Sequence, residues 1–437
     1  MTALRRAESL QNVPASITAF TAQTIQDAGI ERPADFIRLT SNVNLVETQD
    51  AGNAFIVIRG IGQARNSEPS VAVVIDGVQQ INPAQFNQQL FDIEQIEVLK
   101  GPQGGLWGRN AIGGAMVITT RQPGDELEGR FTVGLDNGFG YRVGGAVGGP
   151  ISDTLKFRLA TNWLDTNGYI PNTFLGEDAD PVQDFGIRGA LLWQPTEALT
   201  ADFRAQYSNL KTQALYFNIV GDVNDTSLPV RVNNAGQNDR EMIDLSLKLD
   251  YRTDFGTFRS ITAWNKLEEI LTGDAFNFLP IEESLFFQIF GFDLNQSQFL
   301  DVSAWSQEFR FESNSGQKLQ WSAGAYLVGT RRFISTGNMV DTDNGVFPVY
   351  RTPSTNPSTR RPPSLPTART ISPGPSTATP PTPSRRPGGL TCRSATTATR
   401  ARTPPRRRPN SCPMFPASRP RPRAKCARKA SPTSSPR

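Results

Sequence analysis

Strict two-residue alternation of apolar and polar side chains dominates the chain after Pro123. In residues 243–252 the odd positions are Ile, Leu, Leu, Leu and Tyr, whereas the even positions are Asp, Ser, Lys, Asp and Arg. Residues 156–163, 199–208 and 301–312 repeat the pattern. Because successive side chains of a strand point to opposite faces, the pattern predicts strands with one apolar and one polar face. Alternation alone does not say which face is buried, so a soluble sandwich and a membrane barrel both fit.

The lengths of the connections favour the barrel. About nine strands are predicted, near residues 128–137, 141–149, 154–163, 184–194, 199–208, 241–252, 256–265, 299–313 and 318–331. Every second connection is short, and the long ones between them cover residues 164–183, 209–240 and 266–298. Short turns on one rim and long loops on the other are typical of an outer-membrane barrel. Aromatic residues near the strand ends suit its interfacial girdles: Trp163, Trp193, Tyr207, Tyr251 and Trp264.

The chain before Pro123 follows a different pattern and predicts a mixed α/β domain. Thr21 can cap a short helix that Gly29 ends, and Pro33 suits the first turn of a second helix. Apolar runs such as VAVVIDG and AMVITT predict short strands that are covered on both faces. The pair Asp76-Gly77 predicts a structural turn.

A glycine-rich stretch, IEVLKGPQGGLWGRNAIGGAMVITTRQP, covers residues 96–123. Glycine-rich turns often hold phosphate, but a phosphate-binding loop needs Lys and then Ser or Thr before a helix, and neither follows here. GFGYRVGG at residues 138–145 is a loose dinucleotide-like match without a following helix. The glycines are therefore predicted to allow tight turns and close approach of backbone segments.

Charge and proline divide the chain again near residue 350. Residues 351–437 contain 17 Arg, 2 Lys, 20 of the 33 prolines and no acidic residue, whereas the first 350 residues hold 26 basic and 41 acidic residues. Such a tail is predicted to be disordered, without strands or a core. It is either a basic arm for nucleic acid or anionic surfaces, or, as we prefer, an out-of-frame translation without function.

Composition also excludes much chemistry. The chain has no His, and its three cysteines all lie in the tail. Residues 1–350 therefore lack the side chains for thiol and imidazole catalysis and for most transition-metal sites. We expect no enzyme activity, no metal and no cofactor. No apolar run reaches the length of a transmembrane helix, and no signal peptide follows Met1.

At this point the residues resemble a known family. PASITAFTAQTIQDAGI, FIVIRGIG, VAVVIDGV and IEQIEVLKGPQGGLWGRNAIGGAMVITTRQP are similar, in order and spacing, to the plug domain of TonB-dependent outer-membrane receptors. Residues 124–350, including SQEFRFES, resemble the first part of the accompanying barrel. The fold expected from this resemblance is an α+β plug domain followed by a partial antiparallel transmembrane β-barrel.

The resemblance implies energised import of a large scarce nutrient across the outer membrane of a Gram-negative cell. The ligand is expected to be a ferric siderophore or another iron complex. The partners are the TonB–ExbB–ExbD complex and outer-membrane lipid, without nucleic acid. A passive porin-like channel is the alternative, although a porin does not need residues 14–123. A nonfunctional, frameshifted receptor remnant is also an alternative.

The expected organisation has four parts. Residues 1–13 resemble the segment after a TonB-contacting box, so we expect a signal peptide upstream of Met1. The plug covers residues 14–123, the N-terminal part of the barrel covers 124–350, and the tail covers 351–437.

Candidate site residues follow from the same resemblance and from the loops. Ligand contacts are expected from the loops after IRG and DGV, at Arg65, Asn66, Gln85 and Phe86. A latch between plug and barrel is expected to pair the plug arginines with two glutamates on the polar face: Arg59, Arg109, Glu308 and Glu312. The alternative is that these four side chains are solvated in a wet lumen. The aromatic-rich loop 266–298 is expected to cover the entrance, bind ligand or extend the strands.

Overall fold

The computed structural model describes residues 16–48, 54–63, 67–217, 222, 225, 227–275, 278–314 and 321–341, together with the backbone of 367–370. All of these belong to the first of two compact units, Met1–Ser394. The second unit, Ala395–Arg437, lies outside the described residues.

The first part of the chain forms a mixed α/β domain, here called the N-terminal domain (described residues 16–120). Its elements are β1 (Ser16–Thr21), α1 (Ala22–Asp27), α2 (Pro33–Arg38), β2 (Val43–Glu47), β3 (Ala54–Ile58), β4 (Val71–Ile75), β5 (Val78–Gln80), β6 (Ile93–Lys100), α3 (Gly104–Trp107) and β7 (Gly114–Thr120). Five strands form a mixed sheet in the order β1-β6-β7-β4-β5, and β2 pairs with β3 separately. The predicted caps are present: Thr21 Oγ1 accepts a hydrogen bond from Thr24 N at 3.3 Å, and Pro33 lies in the first turn of α2.

The sheet of the N-terminal domain is covered on both faces, as its apolar runs predict. One apolar cluster packs α1 and α2 against residues such as Ile96, Val98 and Ile118. A second cluster on the other face gathers Leu99 and Val117 with Trp107 of α3. The centre of this sheet is therefore dry on both sides.

The glycine-rich stretch serves turns and close backbone packing, as predicted. Gly101 has a φ of +105° and Gly108 a φ of +72°, in the region that disfavours side chains. A Cβ on Gly114 would lie 2.3 Å from Leu99 O and 2.8 Å from Ile58 Cδ1. The pairing of β6 with β7 therefore requires glycine at residue 114.

Antiparallel strands follow, and most of them are long. They are β8 (Glu128–Leu135), β9 (Tyr141–Ser152), β10 (Leu155–Thr166), β11 (Pro171–Asn172), β12 (Glu177–Asp178), β13 (Val182–Trp193), β14 (Leu199–Thr212), β15 (Gln237–Thr253), β16 (Gly256–Asp274), β17 (Asp293–Ser313) and β18 (Ser322–Asp341), with α4 (Leu285–Phe290) before β17. All except the short β11–β12 pair form one sheet in chain order, here called the strand wall. The nine predicted strands are all present. The later ones extend further into the predicted long loops, so residues 266–274 and 293–298 are strand.

The strand wall has its apolar face outward. Leu245 and Leu247 on β15 are each 38% exposed, and Trp305 on β17 is 48% exposed. The polar face is buried instead, with Arg204 7% exposed and Glu308 7% exposed. A water-soluble sandwich would show the opposite arrangement, because it buries its apolar side chains. An outward apolar face with a polar interior is the arrangement of a transmembrane barrel.

The far edge of the strand wall carries one addition. Residues Thr367–Thr370 (β19) pair antiparallel with Phe333–Thr336 of β18. The prediction that residues 351–437 form no strand is wrong for this segment, because TART lacks proline and its backbone groups can pair. The rest of 351–437 lies outside the described residues, so its predicted disorder stays a prediction. Among the described helices, none is long and apolar enough to cross a membrane.

Candidate functional site at the interface of domain and wall

One segment of the N-terminal domain makes most of the observed polar contacts with the strand wall. This anchor segment, residues 76–92, joins β4 to β6 and contains β5 and a single 3₁₀ turn, Pro83–Gln85. Its polar contacts with the wall join Asp76 to Arg204, Gln88 to Gln206, Gln89 to Asn162, the Phe91 carbonyl to Arg188, Asp92 to Arg158, and the Ala84 and Asn87 carbonyls to Arg240. The anchor segment therefore fixes the domain against the polar face of four consecutive strands, β10 and β13–β15.

Arg204 on β14 lies at the centre of a buried charge cluster. Its guanidinium is 2.8 Å from Asp76 Oδ2 and 3.0 Å from Asp202 Oδ2. The guanidinium also donates to Thr120 Oγ1, and Asp76 accepts from the Thr120 amide at 2.9 Å. Two carboxylates compensate one buried cation, so removal of Arg204 would leave uncompensated negative charge in the interface. Asp76 thus forms the predicted turn, with a φ of +51°, and also a wall contact that the sequence did not indicate.

Arg158 on β10 forms the second buried pair. Its Nε and Nη2 lie 2.6 Å from the two carboxylate oxygens of Asp92, a bidentate arrangement, and Glu128 at the start of β8 accepts from Nη1. Both Arg158 and Asp92 are nearly inaccessible, with side chains 5% and 8% exposed. A bidentate pair of this kind fixes orientation as well as position.

Two further arginines hold the backbone of the anchor segment. Arg240 is 2% exposed and donates to the Ala84 carbonyl at 2.7 Å and to the Asn87 carbonyl. Arg188 donates to the Phe91 carbonyl at 2.9 Å, and its guanidinium lies 4.6 Å from the centre of the Phe91 ring. Guanidinium groups suit this position because they present several donors in a fixed plane.

An apolar contact completes the interface. Ile81 and Ala84 of the anchor segment pack against a wall cluster that includes Met242, Leu267 and Val302. Met242 is an apolar residue on the otherwise polar face of β15, and this break in the alternation is the sequence signal for the contact. The anchor segment therefore combines apolar burial with paired charges.

The structure corrects two of the expected ligand contacts. Gln85 is 1% exposed, and its Oε1 accepts hydrogen bonds from the amides of Ile81 and Asn82, both at 3.0 Å. Phe86 is 2% exposed and packs edge-on against Phe36 in the domain core. Both side chains therefore shape the 3₁₀ turn and the core and are not accessible to a ligand. Arg65 and Asn66 lie outside the described residues.

The expected latch residues are not paired with one another among the described residues. Arg310 contacts Glu308 Oε1 and lies 3.0 Å from Glu312 Oε1, while Arg259 Nη1 lies 3.9 Å from Glu312 Oε2. Arg59 is exposed, and the backbone carbonyl of Arg109 accepts from Gln79 at 2.7 Å. The wall thus compensates its own glutamates, and the buried arginines of β10 and β13–β15 provide the observed contacts.

A cavity of about 320 Å³ separates α1 and the end of the anchor segment from β8–β10. Its lining includes the arginines at 121, 130 and 142 and the small wall residues Gly144 and Ala146. Arg142 pairs with Glu31, and Arg121 lies 3.7 Å from Glu94. Two of the three arginines are therefore paired with carboxylates.

Aromatic side chains gather at the end of the wall that carries the long loops. Phe217 and Phe278 pack edge-on with ring centres 5.0 Å apart, and Phe286 contacts Phe290 and Phe292 around α4. Leu285 and Ile289 of α4 are 71% and 72% exposed. Residues 278–292, the described part of the connection between β16 and β17, therefore present apolar surface at this end of the wall. Phe276 lies outside the described residues.

Buried polar side chains lie near the same end of the wall, in the segment before β15 and toward the ends of β16, β17 and β18. They include Asn234, Asp274, Asn295 and Asp341, each at most 5% exposed. The pKa of Asp274, at the far end of the 19-residue β16, is raised to about 7 by burial and by the charges of Asp341 and Asp293. In the described part of the chain, no group of three or more His, Cys, Asp or Glu side chains is arranged to hold a metal ion.

Comparison with known proteins gives the family context. The model of the TonB-dependent Receptor Plug Domain matches residues 9–115. The pesticin receptor of Yersinia pestis is 32% identical over 157 residues, which are 36% of this chain and 23% of that receptor. The ferric enterobactin receptor PirA of Pseudomonas aeruginosa is 25% identical over 312 residues, 61% of this chain and 40% of PirA. This chain therefore spans well under half of either relative.

Solved structures share the fold. The ferric yersiniabactin uptake receptor FyuA of Yersinia pestis superposes with a TM-score of 0.65 at 22% identity, covering 75% of this chain and 50% of FyuA. The siderophore receptor PiuA of Acinetobacter baumannii superposes with a TM-score of 0.59 at 16% identity, covering 83% of this chain and 53% of PiuA. At these identities the likeness establishes the architecture of a domain packed against a strand wall.

Proposed function

This chain belongs to the TonB-dependent receptors, and on that premise we propose that it imports a ferric siderophore or a similar iron complex across the outer membrane of a Gram-negative cell. The N-terminal domain is the plug of such a receptor, and the strand wall is part of its barrel. TonB, acting with ExbB and ExbD, would supply the energy. The function proposed is transport rather than catalysis.

The observation that carries the proposal is the anchored plug. Four buried arginines on four consecutive strands hold the anchor segment against the lumen face, through contacts such as Arg204 with Asp76 and Arg158 with Asp92. A passive porin needs no folded domain on its lumen face. A domain bound in this way must be moved before a large solute passes, and that movement requires energy.

The outward face of the wall supports a membrane location. Its exposed apolar side chains, such as Phe203 and Leu247, face away from the plug, while the backbone groups of neighbouring strands pair with one another. Hydrocarbon requires both features, since unpaired backbone groups in lipid are costly.

The names of the relatives support iron complexes as the ligand class. FyuA is described as a ferric yersiniabactin uptake receptor, PiuA as a siderophore receptor and PirA as a ferric enterobactin receptor. The aromatic surface at residues 278–292 lies at the long-loop end of the wall, where an incoming ligand would first meet the receptor.

Growth under iron limitation tests the proposal. The full chain, placed behind a signal peptide, is expressed in a Gram-negative host whose own siderophore receptors are deleted, and a panel of ferric siderophores is supplied. We expect at least one siderophore to restore growth only when the host has TonB. Growth that is equal without TonB would indicate a passive channel. No growth with any siderophore, despite insertion in the outer membrane, would indicate a receptor remnant.

A further inference from the structure

The strand wall leaves a gap where its first strands face α1. On the polar face of β9, Gly144 lies opposite Asn162 and Ala146 lies opposite Ala160 in the pairing with β10. Three of these four side chains are small or absent, so they do not fill the space in front of α1. The cavity of about 320 Å³ occupies this gap, and its volume falls in the range of roughly 300–1,000 Å³ that is typical of small-molecule sites.

A buried amide of the anchor segment offers this cavity an unused donor. Gln89 lines the cavity and is 6% exposed. Its Oε1 accepts a hydrogen bond from Asn162 Nδ2 at 3.0 Å, which fixes the orientation of the amide. The Gln89 Nε2 is then a buried donor without a hydrogen-bond partner among the described residues. An unpaired buried donor is costly, and an acceptor inside the cavity removes that cost.

The arginines of the cavity add further donors. Arg142 Nη1 pairs with Glu31, but its Nε is buried and has no partner in the part of the chain that the structure describes. Arg130 on β8 lines the cavity, and its guanidinium has no ion pair with any described residue. Arg121 lies 3.7 Å from Glu94, whose side chain is 57% exposed. The unused polar groups around the cavity are therefore donors, and most of them are cationic.

The carboxylates that line the cavity are already compensated. Glu31 pairs with Arg142, and Asp92 holds Arg158 in the bidentate pair described above. The charge that remains at the cavity is positive, and Arg130 carries most of it. A small molecule that fits this site must therefore supply hydrogen-bond acceptors and negative charge.

We propose that the cavity binds a small molecule with carboxylate or phosphate groups between α1 and β8–β10. The oxygens of such an anion accept hydrogen bonds from Gln89 Nε2 and Arg142 Nε, and they suit the planar guanidinium of Arg130. Gln89 belongs to the plug, whereas both arginines belong to the wall, so a bound anion ties the plug to β8 and β9. This binding requires neither TonB nor an iron complex and goes beyond the proposed transport.

Calorimetric titration of the full chain in detergent micelles tests the site. The probes are citrate, which carries carboxylates, and pyrophosphate, which carries phosphates. We expect saturable binding of at least one of them, at one molecule per chain, and weaker binding as sodium chloride is added. The trimethyl ester of citrate has a similar shape without the charge and should not bind. The preferred probe identifies the anionic group that the site takes.

Two variants test the donors. Arg130→Gln changes an exposed residue and should weaken binding at least about tenfold, because a charge-assisted hydrogen bond is lost. Gln89→Glu keeps an acceptor for Asn162 but replaces the Nε2 donor by a carboxylate oxygen, so it should abolish binding. Arg231→Gln is the matched control, since Arg231 is an exposed arginine paired with Glu283 outside the cavity, and it should bind as the unchanged chain does.

Hydrogen exchange tests the link between plug and wall. The preferred anion should slow amide exchange in α1 of the unchanged chain and of Arg231→Gln, but not in α1 of Gln89→Glu. The proposal is overturned if neither anion binds, if the ester binds as well as citrate, or if Arg130→Gln and Gln89→Glu both bind as the unchanged chain does. Binding that leaves the exchange of α1 unchanged would also contradict it.

Discussion

At the residue scale, the buried arginines determine how the plug is held. The strands β10, β13, β14 and β15 each carry an arginine on the polar face that contacts the anchor segment, at residues 158, 188, 204 and 240. Alternation in the sequence locates these arginines on the polar face. It cannot name their partners, because the partners depend on where a separate domain sits against the wall. The expected latch pairs are not formed among the described residues, where Arg310 compensates Glu308 and Glu312 on their own strand.

Replacement of Arg204 by alanine should loosen the plug. The change leaves Asp76 and Asp202 buried without their cation, and loss of one partner of a buried pair typically costs about 3–5 kcal/mol. Amide hydrogen exchange of β4 and β7 in the full chain measures the effect as a lower free energy of opening. The matched control is Arg231→Ala, which removes an exposed arginine paired with Glu283 away from the plug, and it should leave this exchange unchanged. Unaltered exchange in Arg204→Ala would mean that the cluster does not hold the plug.

At the element scale, the sequence predicts strands well and their far ends poorly. All nine wall strands lie where alternation places them, but β16 extends to Asp274 and β17 begins at Asp293. Residues 268–274, EEILTGD, break the alternation while their backbone still pairs with the neighbouring strand. Alternation depends on side chains alone, whereas the length of a strand also depends on backbone pairing with its neighbour. The short α3 inside the glycine-rich stretch was missed because four residues carry too little periodicity.

Replacement of Gly114 by alanine tests the packing of the glycine-rich stretch. The new Cβ would meet Leu99 O at 2.3 Å and Ile58 Cδ1 at 2.8 Å, so β6 and β7 could not keep their present spacing. Overpacking of this kind costs about 1–3 kcal/mol, and hydrogen exchange of β6 and β7 should accelerate accordingly. Gly104→Ala is the control, since a Cβ there has nothing within 4 Å. Equal exchange in the two variants would show that residue 114 does not need to be glycine.

At the scale of the whole molecule, the sequence predicts a sheet of alternating strands. The structure shows which face of that sheet is exposed. Alternation fits both a sandwich and a barrel. On β17, Trp305 is exposed on one face and Arg310 is buried on the other, which shows that the apolar face points outward. The anchor segment could not be predicted, because its contacts join residues more than 60 positions apart, such as Asp92 with Arg158. Gln85 and Phe86 were assigned to ligand binding from their place in a loop. Both are buried, because the Gln85 side chain bonds back to the start of the 3₁₀ turn.

Energy-dependent uptake tests whether transport requires the plug to be moved by TonB. Cells that lack their own siderophore receptors, and that display this chain in the outer membrane, are given a radioactive ferric siderophore with and without a protonophore. Because the plug is fixed to the wall by buried charges, we expect surface binding in both conditions and accumulation only in energised cells that contain TonB. Accumulation that persists after the proton gradient is collapsed, or that does not need TonB, would contradict it.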